Sequence, residues 1–130
     1  RKFEFPSNVT FHKIDISNAE TVHMALKDAP HPWLICEDCH LPAATIMAVF
    51  DPIMRSGDYI VFEDTHPCNP DEAGMSAESM TYSCVTWAAA KLDSVETEMQ
   101  QRTRYLIDTD LQDLYGYNGC THINSIFCKV

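Results

Sequence analysis

Two apolar runs, Trp33–Cys36 and Tyr59–Phe62, each stop abruptly in a pair of acids, Glu37-Asp38 and Glu63-Asp64. Between them lies TIMAVFDPIMRSGD (45–58), helical in pattern to about Pro52 and turning at Ser56-Gly57. A strand, a helix and a second strand in that order make parallel neighbours. Continuous apolar runs such as WLI and YIVF suit strands buried on both faces. This repeated design constrains the chain to an α/β fold more than any other feature.

The flanking segments extend the alternation. NVTFHKID (8–15) has the β-branched and aromatic residues of a strand and ends in Asp15. SNAETVHMALKDA (17–29) reads as a helix capped by Ser17 or Asn18 and stopped by Pro30 and Pro32. Residues 66–79 carry turn formers without periodicity, and YSCVTWAAAKLDSVETEM (82–99) reads as a helix. RYLIDTDLQDLYGYN (104–118) starts as a strand, and INSIFCKV (123–130) is a closing strand. The order β-α-β-α-β-loop-α-β-β predicts a mostly parallel sheet covered by helices. The last two strands, with no helix between them, are expected to pair antiparallel at one edge.

Composition narrows the function. The 130 residues suit one domain with a modest core. A net charge of −10 with only nine scattered Lys and Arg disfavours a nucleic-acid surface and an anionic membrane surface. No apolar run approaches a membrane span, and RKFEFPSNVT lacks the apolar core of a signal peptide. Several of the six cysteines sit in apolar stretches, as Cys84 and Cys128 do, which fits reduced thiols and a cytoplasmic protein.

The acids fall where an open α/β sheet binds ligands, beyond the carboxyl ends of its strands. Strands joined by one helix are plausible neighbours, about 5 Å apart. Carboxylates that close repel one another, and a divalent cation would offset the repulsion. Acids in such places also commonly cap helices or meet water. The segment ICEDCH (35–40) has further readings. Cys36-x-x-Cys39-His40 is a c-type haem attachment pattern, and Cys36-x-x-Cys39 alone is a redox pair or half a zinc site. A haem motif should be exposed, but here the first cysteine ends an apolar strand. A redox pair should open a helix. A zinc site lacks a clear second ligand pair.

VTFHKIDIS, HPWLICEDCH and SGDYIVFEDT together resemble the family of cephalosporin hydroxylase-type proteins and rhamnosyl or macrolide-sugar O-methyltransferases. The closing YLIDTDLQDLYGYN and INSIFCKV are also similar to it, so the resemblance spans most of 8–130, weakest across 66–100. GDYIVFEDT is its most specific piece. The resemblance implies a Rossmann-like, S-adenosylmethionine-dependent methyltransferase fold. It implies Glu37, Glu63 and Asp64 as magnesium ligands and His40 as the base for the acceptor hydroxyl. Asp15, Ile16 and Ser17 would contact the adenine end of S-adenosylmethionine. The family has Asp where this chain has Glu37; Asp38 is the substitute ligand if the register is shifted by one.

The family's fold begins with a strand, a glycine-rich turn and a helix. This chain has no G-x-G, and its glycines (Gly57, Gly74, Gly116, Gly119) all come late. Residues 1–130 therefore read as a single partial domain, the C-terminal portion of that fold without its first two strands, and weak cofactor binding by the isolated chain is the expectation. The implied activity is magnesium-assisted methylation of a sugar-like or other small-molecule hydroxyl. The rival is a non-catalytic domain that only binds partners. A homo-oligomer is compatible with either.

Overall fold

A computed structural model of the chain describes residues 6–65, 83–108 and 125–130, with 83–88 described in backbone only. Helix α1 (Ala19–Leu26) follows a tight local turn. Asp15 Oδ1 accepts hydrogen bonds from the Ser17 N–H (2.9 Å) and Oγ–H (2.7 Å). Asn18 then caps the helix by accepting the Thr21 N–H, as the sequence allowed. Strand β1 (Leu34–Glu37) leads through Pro42 to α2 (Ala43–Phe50). Gly57, at φ +90°, makes the turn into β2 (Tyr59–Phe62) in a conformation that favours glycine. Helix α3 (Ser83–Gln100), β3 (Tyr105–Ile107) and β4 (Ile126–Lys129) complete the described elements.

The four strands form one sheet in the order β1-β2-β4-β3. β1 and β2 are parallel in the register Leu34↔Tyr59 to Glu37↔Phe62. β4 runs antiparallel to both β2 and β3, so the expected antiparallel edge is present. The sheet is mixed rather than mostly parallel, since only one of its described pairings is parallel. The expected strand at 8–15 does not form: this segment is exposed and joins no ladder among the described residues. Its Val9, Phe11 and Ile14 have the composition of a strand, but β-propensity expresses fit to a pleated, paired surface, and no paired surface receives it here.

One face of the sheet carries the core. Ile60, Phe62 and Phe127 from the strands meet Val22 of α1, Ile46, Met47, Val49 and Phe50 of α2, and Val95 and Met99 of α3. Phe62 and Phe127 contact edge to face at 6.2 Å. On the opposite face Leu34 and Leu106 remain 66% and 59% exposed, so β1 is covered on one side only. The two-sided burial expected of WLI is thus not observed among the described residues. The buried stripe of α3 is Lys91, Val95 and Met99, spaced four apart, with a lysine where an apolar residue is the norm.

Two carboxylates, one buried and one half-buried, tie the elements together at the end of the sheet where β1 and β2 begin. Asp58 accepts the backbone N–H groups of Trp33 (2.8 Å) and Arg55 (2.7 Å) and the Nδ1 of His31 (2.7 Å). His31 stacks on Trp33 with ring centroids 4.0 Å apart. Asp51, at the end of α2, accepts from Lys129 Nζ (2.6 Å), Arg102 (2.6 Å) and the Tyr105 hydroxyl (2.7 Å). It thereby joins α2 to β3, β4 and the turn after α3. His23 likewise has a structural bond, Nε2 to the Val49 carbonyl at 2.6 Å.

Candidate metal centre

At the opposite end of the sheet, β1 and β2 finish side by side, and the parallel ladder continues one step as Glu63 N–H donates to the Glu37 carbonyl (3.0 Å). Side chains alternate along a strand, so adjacent acids in each pair point to opposite faces. Glu37 shares the core face with its register partner Phe62. Asp38 and Glu63, one residue on, share the other face with Cys36 and Val61. The negative charge of Glu63 is felt at Cys36, where burial, with that charge added, pushes the thiol pKa up.

Beyond the strands the backbone turns sharply twice. His40 has φ +56° and Asp64 has φ +57°, both in the left-handed region that costs most side chains energy and that His and Asp tolerate better than most. These two turns fold the chain ends toward each other. One ligand atom from each of Asp38, His40 and Asp64 lies within 4.8 Å of the others. His40 Nδ1 and Asp64 Oδ2 are 3.9 Å apart. Among the described residues the three side chains are exposed or half-buried.

Of the residues expected to hold magnesium, only Asp64 belongs to this cluster. Asp38, the alternative one position on, belongs to it as well, together with His40. Glu63 stands beside it without contributing a ligand atom to the group. Glu37 is directed into the protein: its Oε2 lies 2.8 Å from Lys91 Nζ, and the two side chains are 2% and 7% exposed. Its Oε1 accepts the Cys39 N–H (2.9 Å) and Sγ–H (3.2 Å). Burial alone would raise the Glu37 carboxyl pKa, but Lys91 and the two bonds from Cys39 outweigh it and hold the value below the usual range. The signal in the sequence was Lys91 itself, placed in register with Val95 and Met99 on the core side of α3.

The donor set fits a divalent cation. Metal–oxygen bonds of about 2.1 Å put adjacent ligands about 3.0 Å and opposite ligands about 4.2 Å apart, a range that includes the 3.9 Å between His40 Nδ1 and Asp64 Oδ2. Two carboxylates suit magnesium or manganese, and an imidazole among them shifts preference toward transition metals. At the remaining expected positions, Asp15 and Ser17 are exposed and bonded to each other, and Ile16 packs at the rim of the core. The Ser17 bonds hold the Asp15 carboxyl below its ordinary value.

Comparison with protein-family models, with curated proteins and with solved structures gives no match for this chain.

The cysteines are thiols at 36, 39 and 128. Cys36 and Cys39 are exposed, but both are pushed up in pKa, Cys39 by burial and by its bond to Glu37. A reactive redox pair requires the opposite shift. Cys68, Cys120 and the expected loop at 66–79, with His66, lie outside the described residues, and Cys84 falls in the part of α3 described in backbone only. No helix among the described residues is long and apolar enough to cross a membrane.

Proposed function

We propose that the chain carries the metal-bearing part of a Rossmann-like, S-adenosylmethionine-dependent O-methyltransferase acting on a small-molecule hydroxyl. The observation that carries this reading is the Asp38–His40–Asp64 cluster at the carboxyl ends of two parallel strands. The antiparallel pair closing one edge of the sheet, and the motif likeness, support the same reading. In this assignment Asp38 and Asp64 hold a divalent cation, with Glu63 adding negative charge alongside. The cation, when bound, supplies polarisation of the acceptor hydroxyl and lowers its pKa. His40 accepts the hydroxyl proton, for which an imidazole is suited near neutral pH. Asp15 and Ser17 begin the turn into α1, where the cofactor's adenine end is assigned.

The test combines two measurements on the whole chain. Manganese titration followed by electron paramagnetic resonance should show one site that Asp38→Asn or Asp64→Asn weakens at least about tenfold. Labelled S-adenosylmethionine, supplied in large excess to offset weak cofactor binding, with a panel of sugars should then yield labelled product that His40→Ala reduces while manganese affinity persists. Absence of a manganese site overturns the assignment; loss of manganese with His40→Ala makes His40 a ligand rather than the base.

A second reading, a domain of this fold that binds partners without catalysing, is favoured by one observation: Glu37, a ligand in the family likeness, is engaged by Lys91. Metal binding without any methyl transfer across the panel would select it.

A further inference from the structure

The Glu37 carboxylate divides its two oxygens between two tasks. Oε2 faces the ammonium of Lys91 at 2.8 Å, deep in the stripe of α3 that meets the sheet. Oε1 reaches forward along the chain to the Cys39 N–H at 2.9 Å, with the Cys39 thiol donating at 3.2 Å. The Cys39 N–H belongs to the peptide that joins Asp38 to Cys39. Fixing it sets the direction in which Asp38 leaves β1 and the chain approaches the left-handed His40. The neighbouring strand is built alike. Asp64, the other left-handed residue, is followed by Thr65, fully buried, whose hydroxyl lies 2.6 Å from that of Ser125. Asp64 is thus followed directly by a buried polar anchor, and His40 follows Cys39, whose N–H is held by the buried Glu37.

We infer that Glu37 and Lys91 form a latch that positions the Asp38–His40 loop for cation binding, Glu37 serving as acceptor for the loop backbone rather than as a ligand. The inference rests on the metal site of the proposed function. Lys91 is thus a positioning residue on α3, remote in sequence from the cluster it serves. If Glu37 turned outward to a cation, it would break its own 2.8 Å ion pair with the buried Lys91 ammonium and its bond from the Cys39 N–H. The latch lets helix packing hold the loop in the one arrangement that brings Asp38, His40 and Asp64 together. Outer groups that orient ligands in this way typically change metal affinity by about 10–100-fold when removed.

Two variants of the whole chain separate the latch from the ion pair. Glu37→Gln with Lys91→Met removes both charges and keeps an amide oxygen that can accept the Cys39 N–H with no ammonium facing its NH2. Glu37→Met with Lys91→Met fills the same space and removes the acceptor. Circular dichroism checks that both fold. Expected are manganese affinity within about threefold of wild type for the Gln/Met pair and at least about tenfold weaker for the Met/Met pair. Backbone amide exchange at Cys39, read by NMR without metal, should stay slow in the Gln/Met pair and quicken in the Met/Met pair. Undiminished manganese affinity in the Met/Met pair overturns the latch, as does unchanged Cys39 exchange. Loss of manganese in the Gln/Met pair with Cys39 exchange still slow also overturns it, by making Glu37 a ligand. A wild-type chain that binds no manganese but shows the exchange pattern keeps the latch as a loop anchor and overturns the functional reading instead.

Discussion

Asp58 accepts the backbone N–H of Trp33 at 2.8 Å, fastening the start of β1 to the start of β2. The same carboxylate takes the Arg55 N–H and the His31 ring, and its side chain is fully buried. An amide has only one acceptor oxygen and would turn its NH2 toward an N–H donor. Asp58→Asn should therefore destabilise the fold by about 1–3 kcal/mol. Urea denaturation should show a lower midpoint with an unchanged slope.

Acid should unfold the protein through its buried carboxylates. Burial raises the pKa of Glu37, Asp51 and Asp58, but the bonds each receives outweigh it, and all three end below the ordinary carboxylate range. A carboxyl with a lowered folded pKa stabilises fully above its unfolded value and loses that contribution as pH falls through the folded value. Stability should be level above about pH 5 and fall progressively below pH 4. Lys129→Met, which removes the Asp51 partner at 2.6 Å, should lower the plateau and flatten the decline. Urea midpoints measured from pH 7 to pH 3 give both slopes.

The thiols of Cys36 and Cys39 should alkylate slowly for exposed groups, because both are shifted away from the thiolate. Glu37→Gln should quicken Cys39, since the carboxylate that accepts its S–H is gone. Glu63→Gln should quicken Cys36 more weakly, charge being the lesser cause there. Iodoacetamide kinetics by mass spectrometry resolve the two sites. Labelling faster than free cysteine at neutral pH would restore the redox reading of the Cys36-x-x-Cys39 pair.

His40 occupies a conformation that glycine adopts freely. His40→Gly should leave stability unchanged or raise it by up to about 1 kcal/mol, whereas the β-branched His40→Val should lower it by about 1–2 kcal/mol. Thermal melts of the two variants should therefore shift in opposite directions. Equal shifts would show that the ring contributes packing beyond its backbone conformation.

Local pattern carried much of the architecture. Apolar periodicity and turn residues located α1, α2, α3, β1 and β2 close to their observed spans; residue type narrowed the α1 cap to Ser17 or Asn18 and marked the Ser56-Gly57 turn. The same pattern placed acids at the carboxyl ends of two neighbouring strands. It also assigned a strand to 8–15, because residue type cannot report whether a partner strand is there to pair with. Pairing is a long-range event: the antiparallel pairing of the last two strands was legible from the absence of a helix between them, but the order β1-β2-β4-β3, which sets β4 antiparallel to β2 as well, was decided by the assembled sheet.

The site depended on that assembly more sharply. Sequence alone determined that Glu37-Asp38 and Glu63-Asp64 follow their apolar runs, and the family resemblance left one step of register open between Glu37 and Asp38. The tertiary structure decided the step. In a strand a shift of one residue reverses the facing of every side chain, and the facing is set by what lies opposite. Opposite Glu37 lies Lys91, brought by α3 into a core with little water to solvate either charge alone. Their mutual attraction draws Glu37 inward and leaves Asp38, His40 and Asp64 at the surface, where a cation can reach them.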